Sequence, residues 1–278
     1  ATALGGRWHG RYGAARCPVC QPEGRKGQNG LTLADGTSGR LVLDCKKSGC
    51  AFLDILAAAG LRSGDVSAPD AAATARRQAE RRAEADKRAR QAQALWREAG
   101  PITGTAAERH LRDARGTTCP LPPTLRFHGA CWHGPDTKRY PALVAAVQGA
   151  ALPAVHRTWL RADGSGKADI EAPKMMLGST QGGAVTLTDG PGRLVAAEGI
   201  ESALSLACDL LDGPVAIWAA LSTSGLRGLR LPARPGRLTI ACDGHTPGRE
   251  AAHALAERAH ALGWTVGFLD PGEGARLG

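Results

Sequence analysis

The chain has 278 residues, of which 43% are hydrophobic and 22% charged, and a net charge of +9 at pH 7. That length suits one large domain or two to three small ones, and the composition excludes a wholly disordered or collagen-like chain. The charge is uneven: +5 over residues 1–62, −2 over 63–73, +4 over 74–98, +4 over 99–188 and −2 over 189–278. A polyanion partner is expected for the first two thirds, and a different task for the last third.

No run of about 18 apolar residues is present, so no membrane-spanning helix and no membrane partner are expected. The opening ATALGGRWHG has no apolar core of a secretory signal, so none is expected there. Four of the eight cysteines cluster in residues 17–50, and Cys119, Cys131, Cys208 and Cys242 are scattered. That is too sparse for a disulfide scaffold and predicts a reducing, cytoplasmic setting.

Residues 1–62 are expected to form a zinc-binding domain. Cys17-Pro-Val-Cys20 is followed, 24 residues later, by Cys45-Lys-Lys-Ser-Gly-Cys50. Two tight knuckles, each offering two thiolates, make a closed tetrahedral site for a structural Zn²⁺. His9 and His110 are conceivable replacement ligands, but no spacing favours them. Between the knuckles, Leu31–Leu33 and Leu41–Leu43 flank an Asp35-Gly36 turn signal and predict a hairpin, and Phe52, Ile55 and Leu56 predict a short helix ending at Gly60. Arg7, Trp8, Arg11 and Tyr12 before the first knuckle, with Lys46 and Lys47 in the second, suit single-stranded nucleic acid by stacking and phosphate neutralisation. The alternative is a small aromatic core beneath the ribbon.

Residues 63–98 are expected to be a linker followed by a charged helix over 74–98, with polar groups on every side. It is either a plain spacer or a nucleic-acid contact. Residues 99–188 are expected to be a basic, β-rich subdomain. Residues 101–150 predict one short helix, Ala106–Arg112, among Pro-rich loops, and Ala154–Leu160 alternates as a strand does. Trp96, Trp132, Trp159, Trp218 and Trp264 are expected in packed positions. His128, Cys131 and His133 lack metal-site spacing.

Residues 189–278 alternate strand and helix, predicting a small α/β sheet. Two apolar strands end in an acid, then glycine, then a helix: Leu194–Ala197 with Glu198-Gly199-Ile200-Glu201, and Leu238–Cys242 with Asp243-Gly244-His245. Strand ends of open α/β sheets carry ligand and metal sites. Each acid is either a helix cap or, if the strands are neighbours, half of a divalent-cation site. Ser222-Thr223-Ser224-Gly225 either lines that site or caps a helix.

EGIES and ACDGHTPGREAA resemble the two signature motifs of the Toprim fold. The zinc module, linker, basic segment and Toprim motifs, in that order, resemble the DNA primases of bacteria, phages and plasmids. The fold class implied is α+β and multidomain: a zinc ribbon, a basic β-rich subdomain and a C-terminal α/β Toprim domain. The resemblance implies that Glu198 and Asp243 hold catalytic Mg²⁺ or Mn²⁺, with His245 as a further candidate ligand and Glu201 nearby. It implies that His156, Arg157, Lys167 and Lys174 meet template and nucleoside triphosphate.

The family's second motif carries Asp-x-Asp, whereas this chain has Asp243-Gly244-His245, and imidazole suits Mn²⁺ or Zn²⁺ better than Mg²⁺. Of a third acidic motif only Asp270 and Glu273 are candidates. The implied activity is primer synthesis on single-stranded DNA, with any helicase partner on a separate chain. The alternative is a catalytically degenerate Toprim protein that binds single strands and recruits replication factors. A Toprim nuclease has no need of the zinc module, and a topoisomerase needs a tyrosine nucleophile that neither Tyr12 nor Tyr140 suits.

Overall fold

The computed structural model describes residues 1–10, 12–24, 27–36, 41–61, 71–210 and 214–270. Arg11, Glu273 and most of the 63–73 linker lie outside them. The chain divides into two units, Ala1–Arg82 and Ala83–Gly278.

The first unit is an antiparallel sheet of β1 (Arg7–Trp8), β2 (Gly13–Ala15), β3 (Leu31–Asp35) and β4 (Leu41–Cys45), in that spatial order, followed by helix α1 (Phe52–Ala58). Pairing of Ala15 with Leu31, and of Leu31 with Cys45, brings the ends of β2 and β4 to one edge of the sheet. Both cysteine knuckles therefore open at the same place. Leu31, Leu33 and Ile55 pack with Ala15, Cys17 and Cys45 as a small core. A core this small rarely holds a domain without a metal or disulfide.

Helix α2 (Ala71–Glu98) runs through the boundary between the units. Its middle is solvated, but Ala89 and Ala92 near its end are buried, as is Ala99 beyond it. This differs from the fully solvated helix that the charge pattern predicts. Ala92, Leu95, Trp96 and Ala99 dock on Val144, Val155 and Leu177. Arg126 lies 4.2 Å over the Trp96 ring and donates to the Trp96 carbonyl at 3.0 Å.

The docking sheet is an antiparallel meander of β5 (Leu125–His133), β6 (Lys138–Val147), β7 (Ala154–Trp159) and β8 (Lys174–Leu177). Strands β5 and β6 occupy what the sequence predicts as Pro-rich loop. Pro141 is accommodated in β6 because the β5 ladder shifts between His128 and Cys131, leaving it opposite a bulge. Helix α3 (Ala106–Arg112), with Thr105 accepting from Glu108 N–H at its start, packs on the opposite face from α2.

The third sheet has the order β13-β12-β10-β11-β9, built from β9 (Val185–Thr188), β10 (Arg193–Ala197), β11 (Val215–Ala219), β12 (Arg237–Ala241) and β13 (Thr265–Leu269). Four strands are parallel, and β9 is an antiparallel edge. Helix α4 (Ile200–Ser205), continued by a π-helical turn Leu206–Leu210, covers one face with Ile200, Ala203 and Leu204. Helices α5 (Thr223–Gly228) and α6 (Thr246–Ala261) cover the other with Leu226, Ala251, Ala252, Leu255 and Ala259. Burial on both faces explains why β10 reads as an unbroken apolar run and β12 as one interrupted only by Thr239. Helix α5 is an element the sequence reading leaves as loop.

Among the scattered cysteines, Cys119 and Cys208 form a disulfide with Cα atoms 4.7 Å apart. A separation of 89 residues hides that pairing from any spacing argument. Trp132 is exposed rather than packed, while Trp159 is fully buried. Among the described residues no helix is long and apolar enough to cross a membrane.

Candidate active site

Strands β10 and β12 are hydrogen-bonded neighbours, with Ala197 beside Ala241 at their C-terminal ends. The chain leaves β10 toward the α4 face and β12 toward the α6 face. The divergence opens a crevice at the topological switch point, where doubly wound sheets bind ligands. Glu198 and Asp243 sit one and two residues beyond those aligned ends. One ligand atom each from Glu198, Asp243 and His245 lies within 4.8 Å of the others. The sequence leaves open whether the two strands are neighbours, and the structure pairs them. Two carboxylates converging in an open crevice fit a hard divalent cation that completes its shell with water.

The surrounding acids behave differently from the expectation. The sequence reading sets Glu201 beside the cation. Instead it is a counter-ion for two lysines, with Oε1 3.2 Å from Lys167 Nζ and Oε2 2.7 Å from Lys174 Nζ. Burial alone would push its carboxyl up, but Lys174 and then Lys167 hold it down at about 2. Asp270 is clasped by Arg249, with Nε–Oδ2 at 3.0 Å and Nη2–Oδ1 at 3.2 Å. It therefore already has a cationic partner at this edge. Ser222 caps α5, accepting from Gly225 N–H at 3.0 Å.

Two members of the expected nucleotide-binding group are not on the surface. Arg157 is 9% exposed, lies 4.8 Å over the Trp159 ring and donates to the Met176 carbonyl at 3.2 Å. Strand β7 is covered on both sides, so its odd positions, Val155, Arg157 and Trp159, point into the α2 contact. His156 turns to the other face, toward the charges of Lys174, Glu201 and Lys167, and is 6% exposed. His110, from α3, lies in the same field and is 1% exposed.

Burial holds both imidazoles down at about 4. Among the described residues, neither ring nitrogen of His110 has a hydrogen-bond partner, nor does His156 Nδ1. His110 was not legible as part of this cluster; the sequence offers only an isolated histidine on an amphipathic helix.

The four cysteines come together at the edge of the first sheet, with their sulfurs within 4.8 Å of one another and Cys20 Sγ 3.6 Å from Cys45 Sγ. A tetrahedral site with Zn–S bonds of about 2.3 Å places its sulfurs about 3.8 Å apart, so the geometry fits zinc. Burial raises the Cys45 thiol, but backbone N–H groups of Ser48, Cys50 and Lys47 pull it down to about 6. Burial and the neighbouring thiols push Cys50 up to about 12. One pocket thus favours some thiolates and penalises the full set, a conflict that a dication relieves. Gln21, which the sequence reading passes over, stitches the first knuckle: its Oε1 accepts from Cys17 and Gly30 N–H, both at 3.1 Å. Gly49 supplies the left-handed turn of the second knuckle at φ +61°.

Trp8 and Tyr12 are 48% and 45% exposed, which leaves no aromatic core beneath the ribbon. Arg7, Lys46 and Lys47 are exposed as well, and Lys46 pairs with Asp44.

Comparison with known proteins adds the following. Residues 193–276 match the Toprim domain family and are a Toprim domain, as the strand–acid–glycine motifs imply. Residues 86–187 match a domain of unknown function, DUF7146. The chain is similar to a DNA primase domain from Pseudomonas aeruginosa, at 18% identity and a TM-score of 0.33 over 53% of this chain and 50% of that one. It thus spans half the length of that protein. It is also similar to the zinc-binding and RNA polymerase domains of the Aquifex aeolicus primase, at 12% identity and a TM-score of 0.44, over 98% of this chain and 75% of that one. No curated protein matches in sequence.

Proposed function

We propose that this Toprim-domain chain is a DNA primase that joins ribonucleotides on a single-stranded DNA template. The observation that carries the reading is the meeting of Glu198 and Asp243 at the switch-point crevice, with Lys167 and Lys174 in the same unit. Phosphoryl transfer needs cation ligands at the reacting phosphate and fixed positive charge along the polyphosphate. The reaction has a primer 3′-oxygen attack the α-phosphate of the incoming nucleotide and expel pyrophosphate. It needs no protein nucleophile.

In this reading Glu198 and Asp243 hold Mg²⁺ or Mn²⁺. The ion, when bound, supplies charge neutralisation at the attacking and leaving oxygens. Lys167 and Lys174 neutralise the triphosphate, and Glu201 keeps both ammonium groups in place before it arrives. Zn²⁺ on Cys17, Cys20, Cys45 and Cys50 holds the ribbon together. Arg7, Trp8, Tyr12 and Lys47 on its surface take single-stranded template by stacking and charge. Arg157 and His156, being buried, support the sheet behind the lysines and do not touch the nucleotide. No residue described here supports a helicase partner, and none is proposed.

The test is primer synthesis on single-stranded DNA with four ribonucleotides and either Mg²⁺ or Mn²⁺. Template-dependent oligoribonucleotides with at least one metal are expected, and no product with either overturns the reading. A second reading is a binding protein without catalysis, favoured by the presence of only two carboxylates in the described ligand cluster. It predicts single-strand affinity and no synthesis under either metal.

A further inference from the structure

His245 is positioned by two backbone contacts before any ligand is considered. Its own N–H donates to the Asp243 carbonyl at 2.8 Å, closing the Asp243-Gly244-His245 turn. It is also the N-cap of α6, with its side-chain Nδ1 2.9 Å from the Gly248 N–H. The fit is close: a Cβ on Gly248 would lie 2.8 Å from the Asp243 oxygen and 3.0 Å from His245 Cε1, so only glycine admits this arrangement. A backbone N–H can only donate, so Nδ1 must accept. A neutral imidazole has one acceptor nitrogen, and its proton is therefore on Nε2. That Nε2–H faces Glu198 Oε2 across 3.9 Å.

We infer that His245 is not a ligand of the cation: it caps α6 through Nδ1 and presents Nε2–H to the Glu198 carboxylate as a positioning residue. A ring holding the cap has no lone pair left for a metal. Ligation through Nε2 would move the proton to Nδ1, set it against the Gly248 N–H and break the side-chain cap, leaving that donor only the His245 carbonyl at 3.0 Å. The cation then meets oxygen alone, from Glu198, Asp243 and water, which selects hard ions of the Mg²⁺ and Mn²⁺ class over nitrogen-seeking Zn²⁺. At 3.9 Å the Nε2–H is not yet hydrogen-bonded to Glu198, and a small shift of either side chain would make it the outer-shell donor that orients a metal-bound carboxylate. The inference rests on the proposed role of Glu198 and Asp243 as cation ligands.

The test uses tag-free, zinc-loaded protein and Mn²⁺ as the probe. Mn²⁺ binding is followed by electron paramagnetic resonance, and directly bonded nitrogen by electron spin-echo envelope modulation. Wild type is expected to bind Mn²⁺ with no ¹⁴N coupling of the size a bonded imidazole gives. Asparagine can both cap the helix and donate an N–H, so H245N is expected to keep Mn²⁺ affinity within about threefold. Strong ¹⁴N coupling in wild type, or a loss of tenfold or more in H245N, overturns the inference while leaving the cation site intact. A wild type with no Mn²⁺ affinity above that of the E198A/D243A double variant overturns the cation site itself, and the inference with it. The variants' far-ultraviolet circular dichroism separates these outcomes from misfolding.

Discussion

The two candidate metal sites of this molecule are built by opposite strategies. In the ribbon all four donors come from 34 consecutive residues, Cys17 to Cys50, and two knuckles meet because β2 and β4, the two neighbours of β3 in one meander, end together. In the Toprim sheet the two carboxylates are 45 positions apart in sequence and meet only because β12 crosses over to lie beside β10. The first site is closed by sulfur, and the zinc proposed for it would be part of the fold. The second is an open crevice whose sheet is complete without an ion, through the packing on its two faces. Metal should therefore decide folding in one region and chemistry in the other.

The largest expected effect is at the ribbon. Cys45→Ser removes one thiolate and should abolish zinc retention. Structural zinc supplies about 10–16 kcal/mol of apparent binding free energy in small domains, so the first unit should unfold. Zinc release and loss of amide protection confined to residues 1–61 would be read by chelator assay and hydrogen exchange. Retained structure without zinc would break the comparison. Asp243→Ala is the matching change in the other region. It should reduce nucleotide incorporation by about 10²–10³-fold, the several kcal/mol a catalytic cation contributes, while the midpoint of thermal unfolding stays within a few degrees. A large drop in melting temperature would make that site structural too.

This contrast also explains what the sequence made legible. The knuckle spacing announces its own geometry. The acids at the ends of β10 and β12 were readable because strands buried on both faces are near-continuous apolar runs, and Glu198 and Asp243 interrupt them. The Glu201–Lys174 pair, 27 residues apart, was not readable, because nothing local says that the start of β8 meets the start of α4. Nor was the burial of Arg157. Alternation over Ala154–Trp159 indicates a strand, but not that helix α2 covers the face on which Arg157 lies. Strands β5 and β6 were missed because Pro141 breaks the strand pattern, and only the opposing bulge makes it admissible.

Smaller effects sharpen the division between chemistry and support. Lys174→Ala should raise the nucleotide KM about tenfold, the order expected for one charge-assisted phosphate contact, and leave zinc content and single-strand affinity unchanged. Steady-state kinetics with varied nucleotide checks it, and an unchanged KM would remove Lys174 from the nucleotide site.

The smallest effect concerns pH. His110 and His156 are held at about 4 in the folded protein, against 6.5 in an unfolded chain. Between those values the unfolded state binds more protons. Stability is therefore full above about pH 6.5 and falls as pH drops toward 4, by up to about 1.4 kcal/mol per unit for each histidine. Glu201, held at about 2, contributes stability that is present above 4.5 and is lost only at still lower pH. Urea midpoints of the second unit should thus decline from pH 7 to pH 5, and His156→Gln should flatten that decline. An equally steep slope in the variant would contradict the buried, neutral assignment.

The central claim, that the Glu198–Asp243 crevice performs template-directed nucleotide transfer, is tested most directly with Glu198→Gln, which keeps shape and removes charge. Incorporation of a single labelled ribonucleotide and affinity for fluorescent single-stranded DNA would be measured on the same preparation. The account predicts that incorporation falls at least a hundredfold below wild type while DNA affinity changes less than twofold. Incorporation equal to wild type, or none in wild type itself, would contradict it.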